Sequence, residues 1–205
     1  PSNGQQPAFV SLFANGTSGN INNIDFRTKR TPQKPYEHMR AVAHEIADAV
    51  FAAYQKLNYR DWVPLDARYQ ELPLATRRPS PERVARSREL LSQPAAAKPW
   101  HGNERIYANR VLQLADGPGR IEAPLQAFRL GELAIYTVPA ETFVEIGLEL
   151  KTRSPFKPAF AVSIANGSFF YMPTPEQHAL GGYETWFGTN RLEVEASTKM
   201  VDALL

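Results

Sequence analysis

Three short apolar runs in this chain each end at a proline or at a loop of small polar residues. Phe9-Val10-Ser11-Leu12-Phe13 leads into the loop Asn15 to Asn23, and Phe160-Ala161-Val162-Ser163-Ile164 leads into Ala165-Asn166-Gly167-Ser168. Leu133-Ala134-Ile135-Tyr136-Thr137-Val138 stops at Pro139-Ala140-Glu141. Apolar runs of this length, bounded by Gly, Pro and Asn, read as buried strands. Strands are therefore expected over 8 to 13, 133 to 138 and 159 to 165. Residues 67 to 74 read as extended, and 122 to 130 pairs with 133 to 138 as a hairpin about Gly131-Glu132.

Helical spacing alternates with these strands. After Pro35, the apolar residues Met39, Val42, Ile46, Val50, Ala53 and Leu57 recur at three- and four-residue intervals, with Glu37, Arg40, Glu45 and Asp48 between them. That spacing predicts one amphipathic helix. Ser80-Pro81 marks another helix start, with Ser80 as N-cap and Pro81 at the first helical position, and that helix runs to about Leu91. Helices are also expected over 141 to 152 and 192 to 205. Residues 93 to 104 and 173 to 183 read as loops. Residues 105 to 113 fit either helix or strand. The sum is an α/β fold with a mixed sheet, flanking helices, and site loops at the carboxyl ends of strands, where open α/β sheets collect ligands.

Composition narrows the class. A chain of 205 residues with a hydrophobic fraction of 43% can bury one core, so 1 to 205 reads as a single domain. The net charge is +2, without a Lys/Arg block, and gives no reason to expect nucleic acid. There is no cysteine, which excludes disulfides and thiolate zinc sites. No apolar run reaches the roughly 20 residues of a membrane span. No secretory leader is visible, and the chain opens Pro1-Ser2-Asn3-Gly4, as expected if it begins inside a larger protein.

Candidate chemistry sits in the loops. Glu141 follows an apolar strand, where a site residue is expected; taken alone, the reading as a helix first-turn acid, favoured by the macrodipole by about 0.3–1 kcal/mol, comes first. The loop Asn15 to Asn23 follows a strand as phosphate loops do, but it has neither the Gly-Lys-Ser/Thr of a P-loop nor dinucleotide spacing. It can equally be a polar Asx-rich turn. Tyr171 and Tyr183 lie in an aromatic segment with Phe169, Phe170 and Trp186, most of which would ordinarily be core. His38, His44, His101 and His178 show no paired metal-ligand spacing.

Three segments together resemble the neutral/alkaline, non-lysosomal ceramidase family: Asn15 to Asn23; Leu130-Gly131-Glu132-Leu133-Ala134 through Val138-Pro139-Ala140-Glu141-Thr142-Phe143; and Ala165-Asn166-Gly167 through Tyr171-Met172-Pro173-Thr174-Pro175-Glu176 to Gly182-Tyr183-Glu184. They occur in the family's order. The resemblance implies a zinc-dependent amidase that cuts the N-acyl bond of ceramide or a related lipid amide. It implies Glu141 and Tyr171 as zinc ligands and Tyr183 as the residue that steadies the substrate carbonyl. The family's remaining zinc ligands are histidines, expected upstream of residue 1, so this chain would be the C-terminal portion of a larger catalytic domain and would have the upstream portion as its partner. The resemblance also implies a secreted or periplasmic location and association with a membrane surface.

One departure stands out. The family carries Gly-Asp-Val-Ser-Pro-Asn in its first loop, with the serine as nucleophile. Aligned on the glycine, this chain has Gly19-Asn20-Ile21-Asn22-Asn23. Asn22 occupies the serine position and Asn20 the aspartate position; Ser18 is the nearest hydroxyl. The alternatives are attack by activated water, recruitment of Ser18, a different amide or ester substrate, or a non-catalytic binding remnant of the fold.

Overall fold

The structure, a computed structural model, describes residues 6, 10, 12–29, 32–94 and 101–205. It divides into two compact units, Pro1–Ile21 with Leu65–Leu205, and Asn22–Pro64.

The first unit is built on a four-stranded mixed sheet. Its strands are β1 (Leu65–Ala75), β2 (Arg120–Leu130), β3 (Leu133–Val138) and β5 (Ala159–Ser163), in the order β1-β2-β3-β5. β1 and β2 pair antiparallel, as do β2 and β3. Their hairpin closes with Leu130 opposite Leu133, and Gly131 takes the left-handed backbone (φ 64°) that the tight turn requires. β3 and β5 are parallel, so a crossover must join them. Helix α4 (Val144–Arg153) makes it, burying Ile146, Gly147 and Leu150. The core gathers Leu74, Leu125, Val138, Leu150, Met200 and Val201 between sheet and helices.

Two helices in contact with each other, α2 (Pro81–Ser92) and α3 (Glu104–Asp116), lie between β1 and β2 in the chain. Ser80 caps α2 by accepting the Arg83 N–H at 3.3 Å, as its sequence predicted. The ambiguous 105 to 113 segment is helical because Ala108, Val111 and Leu114 fall on one buried face at three-residue intervals. Helix α6 (Ala196–Leu204) closes the unit; it starts later than expected because Leu192 is held in an isolated bridge to Thr76.

Three local expectations change. The segment 8 to 13 is not a buried strand where it is described. Val10, Leu12 and Phe13 are 75%, 92% and 88% exposed and lie outside any strand, while Ala8, Phe9 and Ser11 fall outside the described residues. Apolar side chains form a buried strand only with a partner; among the described residues the hydrogen bond to β5 comes from Asn15, beyond the run, whose carbonyl accepts the Ser163 N–H at 2.9 Å. Residues 141 to 152 do not start as helix: Glu141–Thr142 is strand β4 and Phe143 is the N-cap of α4. The 173 to 183 loop contains a short helix, α5 (Pro175–Leu180), capped by Thr174. Of the loop 93 to 104, residues 95 to 100 lie outside the described residues.

The second unit carries the predicted amphipathic helix, α1 (Glu37–Tyr54), none of whose residues is buried. Met39, Ile46 and Val50 are exposed. No helix among the described residues is long and apolar enough to cross a membrane.

His178, on α5, is expected to tie the stability of the first unit to pH. Burial and the nearby Arg77 lower its pKa, partly opposed by Glu195. A depressed histidine pKa means that the unfolded chain takes up the proton first, so stability is lost as pH falls below about 6.5, the unfolded value. Urea unfolding at pH 7.5 and pH 5 is expected to show a smaller pH dependence in His178→Gln than in the parent.

Candidate functional site

Pro139 ends β3, and the chain re-emerges at once as β4. There it pairs in parallel with β6 (Tyr171–Met172), Glu141 standing opposite Tyr171. The Glu141 N–H donates to the Phe170 carbonyl at 2.8 Å. Glu141 is therefore in a strand, and the first-turn acid of α4 is Glu145. The macrodipole account of Glu141 fails for that reason.

The loop between β5 and β6 is strained. Ile164, Asn166 and Phe170 have φ of 56°, 63° and 63°, values uncommon for residues with a side chain and rarest for a β-branched one. Such strain persists where surrounding bonds over-determine it. Here Ile164, Ala165 and Phe169 donate to the carbonyls of Ala140, Val138 and Pro139. These bonds tie the loop to the Pro139 turn and set Tyr171 beside Glu141.

Tyr183 begins a single 3-10 turn after Gly181-Gly182, whose φ values of 83° and 100° suit glycine. Its hydroxyl lies 2.9 Å from that of Tyr171, and the rings meet edge to face at 5.4 Å. Burial, the bond to Tyr183 and the Glu141 carboxylate all push the Tyr171 pKa far above the ordinary phenol value. Tyr171 is half-buried against the core, and Tyr183 is 46% exposed.

The first loop joins this group through its backbone. Gly19 N–H donates to the Thr142 carbonyl at 2.8 Å, and a Cβ on Gly19 would lie 2.6 Å from the Glu141 carbonyl. Thr17 packs against Gly147 of α4, where no Cβ would fit. Asn20 accepts the Val144 N–H at 2.9 Å and donates to both Glu145 oxygens, at 3.2 and 2.9 Å. Gln177 donates to the same carboxylate at 3.1 Å. Asn20 thus caps α4 from outside the helix. Asn20→Ala should cost about 1 kcal/mol, the usual loss for a cap, measurable as a shift in the urea midpoint.

Glu141 and Tyr183 each stand beside Tyr171, and the first loop packs on Glu141, Thr142 and Phe143 through Gly19. Ser18 is half-buried, and its carbonyl accepts the Ile21 N–H. Asn22 belongs to the second unit and is exposed. Sequence reasoning missed Asn20, Glu145 and Gln177 as one network, because no local pattern links positions so far apart. Among the described residues no group of three or more His, Cys, Asp and Glu could hold a metal ion. Glu141 and Tyr171 place a carboxylate and a phenol opposite each other on neighbouring strands.

No family model matches the chain, and no curated protein is found to match it. Solved structures do. The fold resembles that of neutral ceramidase. Neutral ceramidase from Pseudomonas aeruginosa matches with a TM-score of 0.55 and 18% identity, over 98% of this chain and 37% of that one. A ceramidase complexed with C2 matches with a TM-score of 0.51 and 16% identity, over 82% of this chain and 33% of that one. The chain thus has a ceramidase-like fold and spans about a third of the length of those ceramidase chains. At this identity the likeness speaks for the fold alone.

Proposed function

We propose that this chain is part of a zinc-dependent amidohydrolase of the neutral-ceramidase type, cleaving the N-acyl amide of ceramide or a related lipid amide. The observation that carries the reading is the in-register pairing of Glu141 with Tyr171, with the Tyr183 hydroxyl 2.9 Å from that of Tyr171. Glu141 and Tyr171 would hold the metal together with histidines from the upstream portion of the same catalytic domain. Zinc, when bound, polarises an amide carbonyl and lowers the pKa of a bound water to about 7.

The remaining chemistry belongs to the chain. Hydrolysis adds water across the C–N bond, negative charge grows on the carbonyl oxygen, and the nitrogen leaves as an amine. Tyr183, exposed and backed by two glycines, donates its hydroxyl to that oxygen. The pairing of β4 with β6 holds Glu141 and Tyr171 in fixed register, so little reorganisation accompanies the charge. Asn22 is an amide and cannot serve as nucleophile. Water is the nucleophile on this reading, with Ser18 the alternative. Lipid substrates accord with association at a membrane surface and with a secreted or periplasmic location.

A second reading has its own observation. Asn20, at the family's aspartate position, spends its side chain capping α4. This favours a binding remnant that kept the fold and lost turnover. The test is release of fatty acid from an N-acyl sphingoid substrate by the protein that contains this chain. The hydrolase reading expects release that chelation abolishes and zinc restores. Lipid binding without release supports the remnant. Residues 1 to 205 alone, with one carboxylate and one phenol, are expected to retain much less than one zinc per chain after dialysis. Stoichiometric zinc there would overturn the shared ligand set.

A further inference from the structure

Two guanidinium groups converge on one phenyl ring without a carboxylate between them. Arg191 lies 4.2 Å and Arg110 5.8 Å from the centre of the Phe170 ring. Arg110 also stands 5.2 Å from the Tyr107 ring, and its Nη1 reaches the Thr189 hydroxyl at only 3.5 Å. The Nε of Arg191 is buried and makes no hydrogen bond. Among the described residues, neither arginine forms an ion pair with Asp or Glu, whereas Arg27, Arg120 and Arg153 each do. A guanidinium carries five N–H donors; among the described residues Arg110 directs one at Thr189, and the buried Nε of Arg191 directs none.

The fold holds the two charges in place from separate elements. Arg110 projects from α3, its stem laid against Gly188, where a Cβ could not fit. Arg191 immediately precedes Leu192, the residue bridged to Thr76, and its own carbonyl accepts the Arg77 N–H at 2.8 Å. Burial and the charge of Arg110 lower the Arg191 pKa, the mark of like charges kept close. Contact with aromatic faces offsets part of that repulsion, and an anion would offset the rest.

We propose that Arg110 and Arg191 form a binding site for an oxyanion of the phosphate or carboxylate class, seated beside Phe170. Planar guanidinium forks recognise both groups in bidentate fashion. The site needs neither metal nor turnover, so it stands apart from the hydrolase reading.

Thermal unfolding of the chain in inorganic phosphate, acetate and chloride at matched ionic strength tests it. Phosphate or acetate is expected to raise Tm above chloride in a saturating manner, and the larger response names the group recognised. Arg110→Gln and Arg191→Gln should each weaken the response at least about tenfold, the scale of losing one charge-assisted pair. With no oxyanion at low salt, both variants should keep or exceed the parent Tm, because like-charge repulsion is relieved. Arg191→Lys keeps charge without the fork and should bind with intermediate affinity, which provides the test if Arg191→Gln does not fold. Equal Tm in all three salts, or an unchanged response in the variants, would overturn the proposal. So would variants that lose Tm in chloride yet respond fully to the oxyanion, since the arginines would then serve packing alone.

Discussion

Tyr183→Phe is expected to slow amide hydrolysis by the protein containing this chain by about two orders of magnitude, the usual scale for an oxyanion donor. The substitution removes one oxygen and nothing else. Tyr183 is 46% exposed, and among the described residues its hydroxyl meets the half-buried Tyr171 hydroxyl at 2.9 Å. The edge-to-face ring contact at 5.4 Å survives in phenylalanine. Stability should therefore change by less than about 1 kcal/mol, within the range of one modest hydrogen bond. Single-turnover rates with a lipid amide, beside a melting curve, separate the roles. An unaltered chemical step would remove Tyr183 from the site. A large fall in Tm with the rate intact would make it a packing residue.

The second large effect is expected at Gly19. A methyl group there would meet the Glu141 carbonyl at 2.6 Å and the Thr142 and Phe143 atoms at 3.0 Å. The first of these is backbone, fixed by the β4–β6 pairing, so the loop must move instead. Its hydrogen bond to the Thr142 carbonyl would lengthen, and the Asn20 cap on α4 would be pulled with it. Gly19→Ala should cost about 1–3 kcal/mol, the range for overpacking. Gly16→Ala is the control, because nothing lies within 4 Å of its added Cβ. Equal unfolding midpoints for the two variants would mean that the loop does not pack on Glu141.

Much of the fold follows from local pattern. The hairpin about Gly131, the Ser80 cap, the amphipathic α1 and the β3–β5 strands are encoded within a few residues of where they form. Turn chemistry and hydrophobic period act at that range. Position after a strand made Glu141 a candidate, whereas Tyr171 and Tyr183 became candidates only through resemblance to a family. The pattern erred where a segment's state depends on what lies beside it. The apolar run 8 to 13 lies outside any strand where it is described, its side chains exposed. Glu141 looks like a helix start until β6 arrives and draws it into a strand.

The sequence by itself determined the α/β alternation, the turns that end each strand and the residue types available for chemistry. The tertiary structure alone decided that Glu141 stands opposite Tyr171, that Tyr183 reaches back to the same hydroxyl, and that Asn20 caps a helix more than a hundred residues away. It also brought Arg110 and Arg191 to one ring. The reason is physical. Propensity and periodicity act between neighbours in the chain. A site is made by pairing, strain and close approach between distant segments, whose free energy exists only once the core has assembled.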